Sequence, residues 1–241
     1  MSHPRPGVTL VIPAWNEADA IGAVLDEIPA NTVDEVLVVV PSQSDPTAAV
    51  AAAHGASVLI QHARGYGAAC WTGTAHALSN GAEIVAFLDG DYADPPAALP
   101  RILAPLQQHR ADLVLGCRDL RRFPDALPPH ARLGNTLVCW LLRALLKANF
   151  RDLPSCKAIR ASALAQLDMR EMTYGWTVEM LAKASRNRLR IEQLEVEYRP
   201  RRGGQSKVAG DLRASLSAAC KLLTCALTYA TAPEWSTASG Q

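Results

Sequence analysis

The sequence predicts an α/β protein built on a doubly wound, mostly parallel sheet. Short apolar runs alternate with amphipathic segments along the first half of the chain. Polar turn residues follow each apolar run, and 49% of the 241 residues are hydrophobic, enough for a sizeable core. This alternation is typical of βαβ units, in which helices cover both faces of a parallel sheet and ligands bind at the carboxyl ends of its strands.

Five apolar runs predict the strands of the first half, at 8–12, 36–40, 58–60, 84–88 and 113–115. Helices are expected between them. The second is capped by Asp45, with Pro46 at its first position, and ends at Gly55. Residues 64–67 open the third helix, and Asp94 with Pro95 has the pattern of an N-cap and first position for the fourth.

The second half predicts a long helix at 130–150, a strand at 157–160, a helix at 175–185 and a half-buried strand at 190–198. The apolar face of the 130–150 helix suits either core packing or partial seating at a membrane interface. We divide the chain into a catalytic domain at 1–210, an amphipathic helix at 211–232 that packs on it or lies on a membrane surface, and a disordered tail at 233–241.

Composition and charge exclude some function classes. A net charge of +1 argues against a general nucleic-acid binder, although residues 183–213 hold nine bases against four acids, a local excess suited to phosphates or an anionic membrane. The six scattered cysteines suit a reducing compartment. With no signal peptide or membrane span in the sequence, we expect a cytoplasmic protein that contacts the cytoplasmic face of the membrane peripherally.

Three acids close the fourth predicted strand, at Asp89, Asp91 and Asp94. Side chains two apart on an extended chain point the same way, so Asp89 and Asp91 are expected to converge. Two carboxylates at so short a distance repel each other unless a cation lies between them. Mg²⁺ or Mn²⁺ prefers one or two carboxylates together with phosphate oxygens. The pair therefore predicts a metal site for a nucleotide diphosphate. The turn after strand one has neither G-x-G-x-x-G nor G-K-[ST], so a dinucleotide fold and a P-loop are not supported.

Taken together, these segments resemble the family 2 glycosyltransferases of GT-A fold, in particular the branch of dolichyl-phosphate mannose synthase and the bacterial polyprenyl-phosphate sugar transferases. The resemblance covers about residues 9–210. It rests on the order and spacing of VIPAWNE at 11–17, DGD at 89–91, DPP at 94–96, GCR at 116–118, RLGN at 132–135, YGWTVE at 174–179 and RRGGQSK at 201–207.

The resemblance implies a metal-dependent, inverting transfer of a sugar from a nucleotide diphosphate, such as GDP-mannose or a UDP-hexose, to a polyprenyl phosphate. It implies that Asp89 and Asp91 hold the Mg²⁺ or Mn²⁺ ion. The implied donor-binding residues are Pro13, Asn16, Glu17, Asp89, Gly90 and Asp91. The implied acceptor-phosphate ligands are Arg118, Arg132, Arg201, Ser206 and Lys207, and the catalytic group comprises Asp91, Arg118, Arg201, Lys207 and Glu179.

Two points stay open. A phosphate acceptor is already anionic and needs no base, so Glu179 either acts as a base toward a hydroxyl acceptor or positions its loop. Family members usually end strand two with an aspartate that contacts the nucleobase, whereas Val40 and Pro41 stand here. That departure leaves the donor base open, and it motivates the alternative of a non-catalytic binder of nucleotide sugar or lipid phosphate.

Overall fold

A computed structural model describes residues 7–202 and 212–231, and within this part the side chains of 212–217 are not described. Seven strands form one sheet in the order β3-β2-β1-β4-β6-β5-β7. β6 is antiparallel to both of its neighbours, and the other pairs are parallel. The strands are β1 (Val8–Pro13), β2 (Glu35–Val40), β3 (Ser57–Ile60), β4 (Ile84–Phe87), β5 (Leu113–Asp119), β6 (Lys157–Arg160) and β7 (Ile191–Glu197).

Helices cover both faces of the sheet. The α-helices are α1 (Ala18–Asp26), α2 (Pro46–Ala53), α3 (Tyr66–Ser79), α4 (Leu99–Gln107), α5 (Pro129–Leu146), α6 (Ala161–Leu167), α7 (Trp176–Arg186) and α8 (Leu212–Thr231). Short 3₁₀ helices span Pro96–Ala98 and Pro124–Ala126. α1, α2 and α4 bury apolar side chains on one face, and α3 with α5–α8 cover the other.

The core forms because side chains alternate across each strand. In β1, for example, Leu10 and Ile12 face α1, whereas Val11 faces the opposite core together with Phe87. Phe87 packs edge-on against the fully buried Trp176 of α7, with 6.2 Å between ring centroids. The predicted α/β class and mostly parallel sheet are confirmed.

The predicted start of the fourth helix is wrong. A 3₁₀ turn begins at Pro96 after Pro95, and no described side chain caps it. The carboxylate of Asp94 instead accepts a hydrogen bond from the Ser155 hydroxyl. By contrast, the predicted cap of α2 is confirmed, because the Asp45 carboxylate accepts the Thr47 N–H at 2.9 Å.

Several bounds differ from the sequence prediction. β5 runs on to Asp119 because its pairing with β7 continues to that residue, and the short helix α6 was not predicted. The predicted 130–150 helix ends at Leu146, where Lys147 adopts a left-handed φ of 55°.

The outer face of α5 is not core. Val138, Cys139 and Leu142 are buried, whereas Leu133 is 71% exposed and Trp140 is 62% exposed. Core packing therefore explains only the inner face of the predicted apolar helix. α8 packs against α5 and α7. The predicted tail at 233–241 lies outside the described residues.

Candidate active site

Hydrogen bonds from backbone N–H groups to side chains join the segments that follow β1 and β2. Asn16, in a left-handed conformation with φ of 53°, donates its N–H to the Asp45 carboxylate at 3.1 Å. The Glu17 N–H donates to the Thr47 hydroxyl at 2.9 Å. Asp45 thus serves two loops at once, and it fixes the predicted donor-binding segment, which begins at Pro13, beside the start of α2.

The acid pair lies in a turn and not on an extended strand. β4 ends at Phe87, and the Asp91 carboxylate accepts the Ala93 N–H at 2.9 Å, as in an Asx turn. Strand alternation is therefore the wrong reason to expect convergence. The two carboxylates nevertheless interact: burial, and next the charge of Asp91, raise the pKa of Asp89. A Cβ at Gly90 would come within 3.1 Å of the Ala14 Cβ, so this turn packs directly on the end of β1.

Tyr66, at the start of α3, holds Asp89 in place. Its hydroxyl donates to Asp89 Oδ1 at 3.1 Å. The glycines on either side let the start of α3 pack closely on the 171–173 loop, since a Cβ at Gly65 would lie 2.1 Å from the Met172 carbonyl oxygen and one at Gly67 would lie 2.2 Å from the Glu171 carbonyl oxygen. The sequence pattern predicts a helix start here but carries no sign that its tyrosine reaches the acid pair.

A buried cation lies beneath the acid pair. Lys157 of β6 is fully buried, and its Nζ donates to the carbonyl oxygens of Pro154 and Ser155 and to the Thr177 hydroxyl, each at 3.1 Å. Its positive charge opposes the rise in the pKa of Asp89. A lysine in an apolar strand gives no sequence signal of this role, because its strand neighbour, β4, is distant in the chain.

Asp94 is a third acid at this edge, and it is fully buried. Burial, and next the charge of Asp89, raise its pKa to about 7. Its Oδ2 accepts the Ser155 hydrogen bond, whereas its Oδ1 has no hydrogen-bond partner within the described part of the chain. The raised pKa favours the protonated form of Asp94. Asp94 therefore adds less negative charge than an ionised carboxylate would beside Asp89 and Asp91.

The segment after β7 crosses directly over the acid turn. The Arg201 guanidinium contacts Asp91 Oδ2 at 3.0 Å. The Arg202 N–H donates to the Asp91 carbonyl at 3.0 Å, and the Arg199 N–H donates to the Ala93 carbonyl at 2.9 Å. The predicted phosphate ligand Arg201 thus lies against the predicted metal ligand Asp91.

Contacts with Glu27 and Tyr92 hold this crossing segment near the end of α1. Arg199 donates to Glu27, which follows α1, at 2.9 Å, and Glu27 also accepts the Tyr92 hydroxyl at 2.5 Å. The Tyr92 ring lies 5.3 Å from Arg199 and 5.7 Å from Arg202. These contacts join residues that are distant in the chain, so the sequence order alone could not reveal them.

Arg118, at the end of β5, makes a buried ion pair. Its guanidinium binds both carboxylate oxygens of Asp152, and its backbone N–H donates to the same carboxylate. Burial alone would raise the pKa of Asp152, but these bonds with Arg118 bring the pKa below the ordinary value. Asp152 was not singled out from the sequence, and it leaves Arg118 firmly oriented.

A basic cavity of about 460 Å³ opens beside this ion pair, between the end of β5 and the start of α5. Its charged lining comprises four arginines, Arg118, Arg121, Arg132 and Arg151, and three acids, Asp119, Asp152 and Glu195, so the arginines exceed the acids by one; Asn135 also lines it. Arg132 donates through Nε to the Leu127 carbonyl at 2.8 Å. The structure thus brings together two of the predicted phosphate ligands and adds Arg121 and Arg151.

Glu179 is fully buried, away from solvent. Its carboxylate accepts the N–H groups of Arg170 and Glu171, the latter at 2.7 Å, and pairs with Lys183 at 2.7 Å. These bonds fix the loop that packs on the start of α3. This arrangement favours the positioning role over the base. The predicted ligands Ser206 and Lys207 lie outside the described residues.

Residues 9–167 match the protein family described as Glycosyl transferase family 2. An uncharacterized glycosyltransferase of Mycobacterium tuberculosis strain H37Rv is 38% identical over 88% of this chain and 94% of its own length. The dolichyl-phosphate hexose transferase of Haloferax volcanii is 30% identical over 81% of this chain and 84% of its own. The undecaprenyl-phosphate mannosyltransferase of Micrococcus luteus is 28% identical over 85% and 88%, respectively.

Among solved structures, the glucosyl-3-phosphoglycerate synthase of Mycobacterium tuberculosis has the same fold. Its complex with Mn²⁺, uridine diphosphate and glucosyl-3-phosphoglycerate aligns with a TM-score of 0.74 and 23% identity, over 95% of this chain and 81% of that one. The resemblance seen in the sequence motifs is thus confirmed by independent comparisons of sequence and of fold. The chain belongs to glycosyltransferase family 2, and it is a glycosyltransferase.

Proposed function

We propose that this glycosyltransferase moves one sugar from a nucleotide diphosphate to a polyprenyl phosphate, with inversion at the anomeric carbon and with Mg²⁺ or Mn²⁺ bound to Asp89 and Asp91. The observation that carries the proposal is the buried carboxylate of Asp91, which lies beside Asp89 and against Arg201 at the carboxyl edge of the sheet.

The acid pair fits a metal that takes most of its ligands from elsewhere. Within residues 7–202 and 212–231, no group of three or more His, Cys, Asp and Glu side chains is arranged to hold a metal. Mg²⁺ and Mn²⁺ need no such group, because they accept one or two carboxylates and complete their coordination with phosphate and water. When bound, the ion would neutralise the donor diphosphate as charge grows on it. The mycobacterial synthase, which shares this fold, has been crystallised with both Mn²⁺ and uridine diphosphate.

The donor nucleotide would lie over the ends of β1 and β2. Pro13, Asn16 and Glu17 form this wall, and the bonds to Asp45 and Thr47 hold it before any ligand binds. Preorganised backbone of this kind saves the cost of ordering a loop on binding. We expect the nucleobase here without an aspartate contact, since Val40 and Pro41 close β2, and both GDP-mannose and UDP-hexoses remain donor candidates.

The acceptor phosphate would enter the basic cavity. Arg118 and Arg132 line it, and arginine suits forked contacts with phosphate oxygens. The names of two relatives, a dolichyl-phosphate hexose transferase and an undecaprenyl-phosphate mannosyltransferase, support a polyprenyl phosphate acceptor. Arg201 and the predicted ligands Ser206 and Lys207 would complete the ring of positive charge around both phosphates.

These bases serve the chemistry directly. The acceptor phosphate oxygen attacks the anomeric carbon while the bond to the diphosphate breaks, so two anionic groups approach each other. Fixed cations aimed at the leaving diphosphate stabilise the transition state more than the ground state. A phosphate nucleophile needs no deprotonation, and this agrees with the position of Glu179, whose carboxylate is already bonded to two backbone N–H groups.

A donor and acceptor panel tests the proposal. The protein is incubated with labelled GDP-mannose and several UDP-hexoses, Mn²⁺ or Mg²⁺, and three acceptors: a polyprenyl phosphate, a lipid alcohol and phosphoglycerate. Product on the polyprenyl phosphate, lost on chelation, is the expected result. Product only on a hydroxyl acceptor would overturn the acceptor assignment, and donor binding without product on any acceptor would favour the non-catalytic binder.

A further inference from the structure

A row of exposed apolar side chains runs along α5. Leu133, Leu137, Trp140 and Ala144 follow one another at helical spacing, so they share one face. The three larger side chains are 71%, 45% and 62% exposed. A contiguous exposed apolar surface of this kind marks an interaction site, because isolated apolar residues on a surface are ordinary but a row of them is not. We name these four residues the α5 stripe.

The helices that carry and flank the α5 stripe contain bases and no acids. Neither α5 nor α8, which packs beside it, contains an acidic residue. Arg143 is exposed on α5, and the exposed Lys147 follows directly after the helix. An apolar face bearing tryptophan and leucine, on a helix that holds bases and no acids, fits the interface of an anionic bilayer, where the apolar side chains enter the boundary region and the bases contact lipid headgroups.

The α5 stripe is continuous with the basic cavity. Arg132, Asn135 and Thr136, which alternate along the helix with Leu133 and Leu137, line the cavity. A surface that seats the α5 stripe would therefore hold the cavity mouth at the level of the lipid headgroups. No helix in the described ranges is long and apolar enough to cross a membrane.

We propose that the α5 stripe is a membrane-docking surface that lies in the headgroup region of an anionic bilayer and presents the basic cavity to lipid-borne phosphate. The choice of a lipid phosphate as the cavity's ligand rests on the proposed function, whereas docking itself does not. Trp140 and Leu137 contribute the apolar contact, and Arg143 contributes the preference for anionic lipid.

Vesicle co-sedimentation tests docking without catalysis. The full chain is mixed with phosphatidylcholine vesicles, with or without phosphatidylglycerol, and without nucleotide sugar or polyprenyl phosphate. We expect binding to the anionic vesicles, a fall of about tenfold or more for the double variant Leu137→Ser/Trp140→Ser, and a smaller fall for Arg143→Gln. The control Ile60→Ser removes an exposed apolar side chain on the edge strand β3 and should bind as wild type does.

A second measurement locates the contact. Brominated lipids should quench the tryptophan fluorescence of the wild type more than that of Trp140→Phe, which keeps the apolar ring but removes the reporter. Equal quenching, or equal binding of Leu137→Ser/Trp140→Ser and wild type, would overturn the proposal. A dimer that light scattering detects in the wild type and not in the double variant would also overturn it, by assigning the α5 stripe to a second copy of the chain.

Turnover separates this inference from the proposed function. With a short-chain, water-soluble polyprenyl phosphate, the double variant should be as active as wild type, and with a long-chain acceptor in vesicles it should be at least about tenfold slower. Vesicle binding without any turnover would contradict the proposed function but not the docking surface. Turnover on both acceptors with no vesicle binding would contradict the docking surface but not the proposed function.

Discussion

The carboxyl edge of the sheet has two halves that differ in how their polar groups are held. We call the ends of β1, β2 and β4 the donor half, and the end of β5 with the start of α5 the acceptor half. On the donor half, Asp91, Asp45 and Glu17 are each bonded to backbone or to a side chain of a neighbouring loop. On the acceptor half, Arg121 and Arg151 line an open cavity and both pair with the exposed Glu195. We infer that the donor half is prepared for its ligand in advance, whereas the acceptor half is built to meet a surface.

The largest expected effect is on the donor half. Asp91→Asn keeps an oxygen that can accept the Ala93 N–H but removes the charge that would hold the metal. Because a metal supplies several kcal/mol of transition-state stabilisation, turnover should fall by about 100-fold or more. The control Asp168→Asn makes the same change at a half-exposed site and should leave turnover unchanged. Steady-state rates measure both. Equal rates in Asp91→Asn and wild type would contradict a role of the Asp91 charge in turnover.

The acceptor half has one rigid element, the ion pair of Arg118 and Asp152. Removing one partner of a buried pair leaves an uncompensated charge, so Asp152→Ala should lower the free energy of unfolding by about 3–5 kcal/mol. Glu195→Gln breaks the exposed pair with Arg151 and should cost no more than about 1 kcal/mol. Urea unfolding followed by circular dichroism measures both variants. Similar losses in the two would show that Arg118 is not held in the way we describe.

Asp94 gives the donor half a pH dependence in metal-free protein. Its pKa is about 7 in the folded chain, above the ordinary value, so the folded state binds this proton more tightly than the unfolded state does. Stability should therefore fall as pH rises from about 4 to about 7, by as much as about 4 kcal/mol relative to Asp94→Asn. Unfolding in EDTA across this range measures the difference. Parallel pH profiles for the two proteins would contradict it.

The smallest expected effect concerns Arg201, which lies against Asp91. Its guanidinium contacts Asp91 and would compete there with a cation. Arg201→Gln should therefore raise the Mn²⁺ affinity of nucleotide-free protein by roughly threefold to tenfold, even as turnover falls. Titration of free Mn²⁺ by electron paramagnetic resonance measures the affinity. A weaker Mn²⁺ affinity in the variant would mean that Arg201 supports the acid pair and does not compete for it.

The sequence predicted the sheet class, since apolar runs are a local signal, and it located the acid pair, although the two acids lie in a turn and not on a strand. It could not predict Tyr66, Lys157 or the Arg199–Glu27 contact, because these depend on which distant strands and helices become neighbours. Asp94 was misassigned as a cap because Asp-Pro-Pro has the same local pattern whether or not Ser155 is near. On α5, periodicity identified the apolar residues but not which of them another helix would cover.

The central claim is that Asp89 and Asp91 together hold the cation of a nucleotide diphosphate. Crystals soaked with Mn²⁺ and uridine or guanosine diphosphate test it most directly, by anomalous scattering. We predict one Mn²⁺ peak within coordination distance of the Asp91 carboxylate, beside Asp89, and bridged to the diphosphate. A diphosphate bound at this edge with no metal peak at either carboxylate would contradict it.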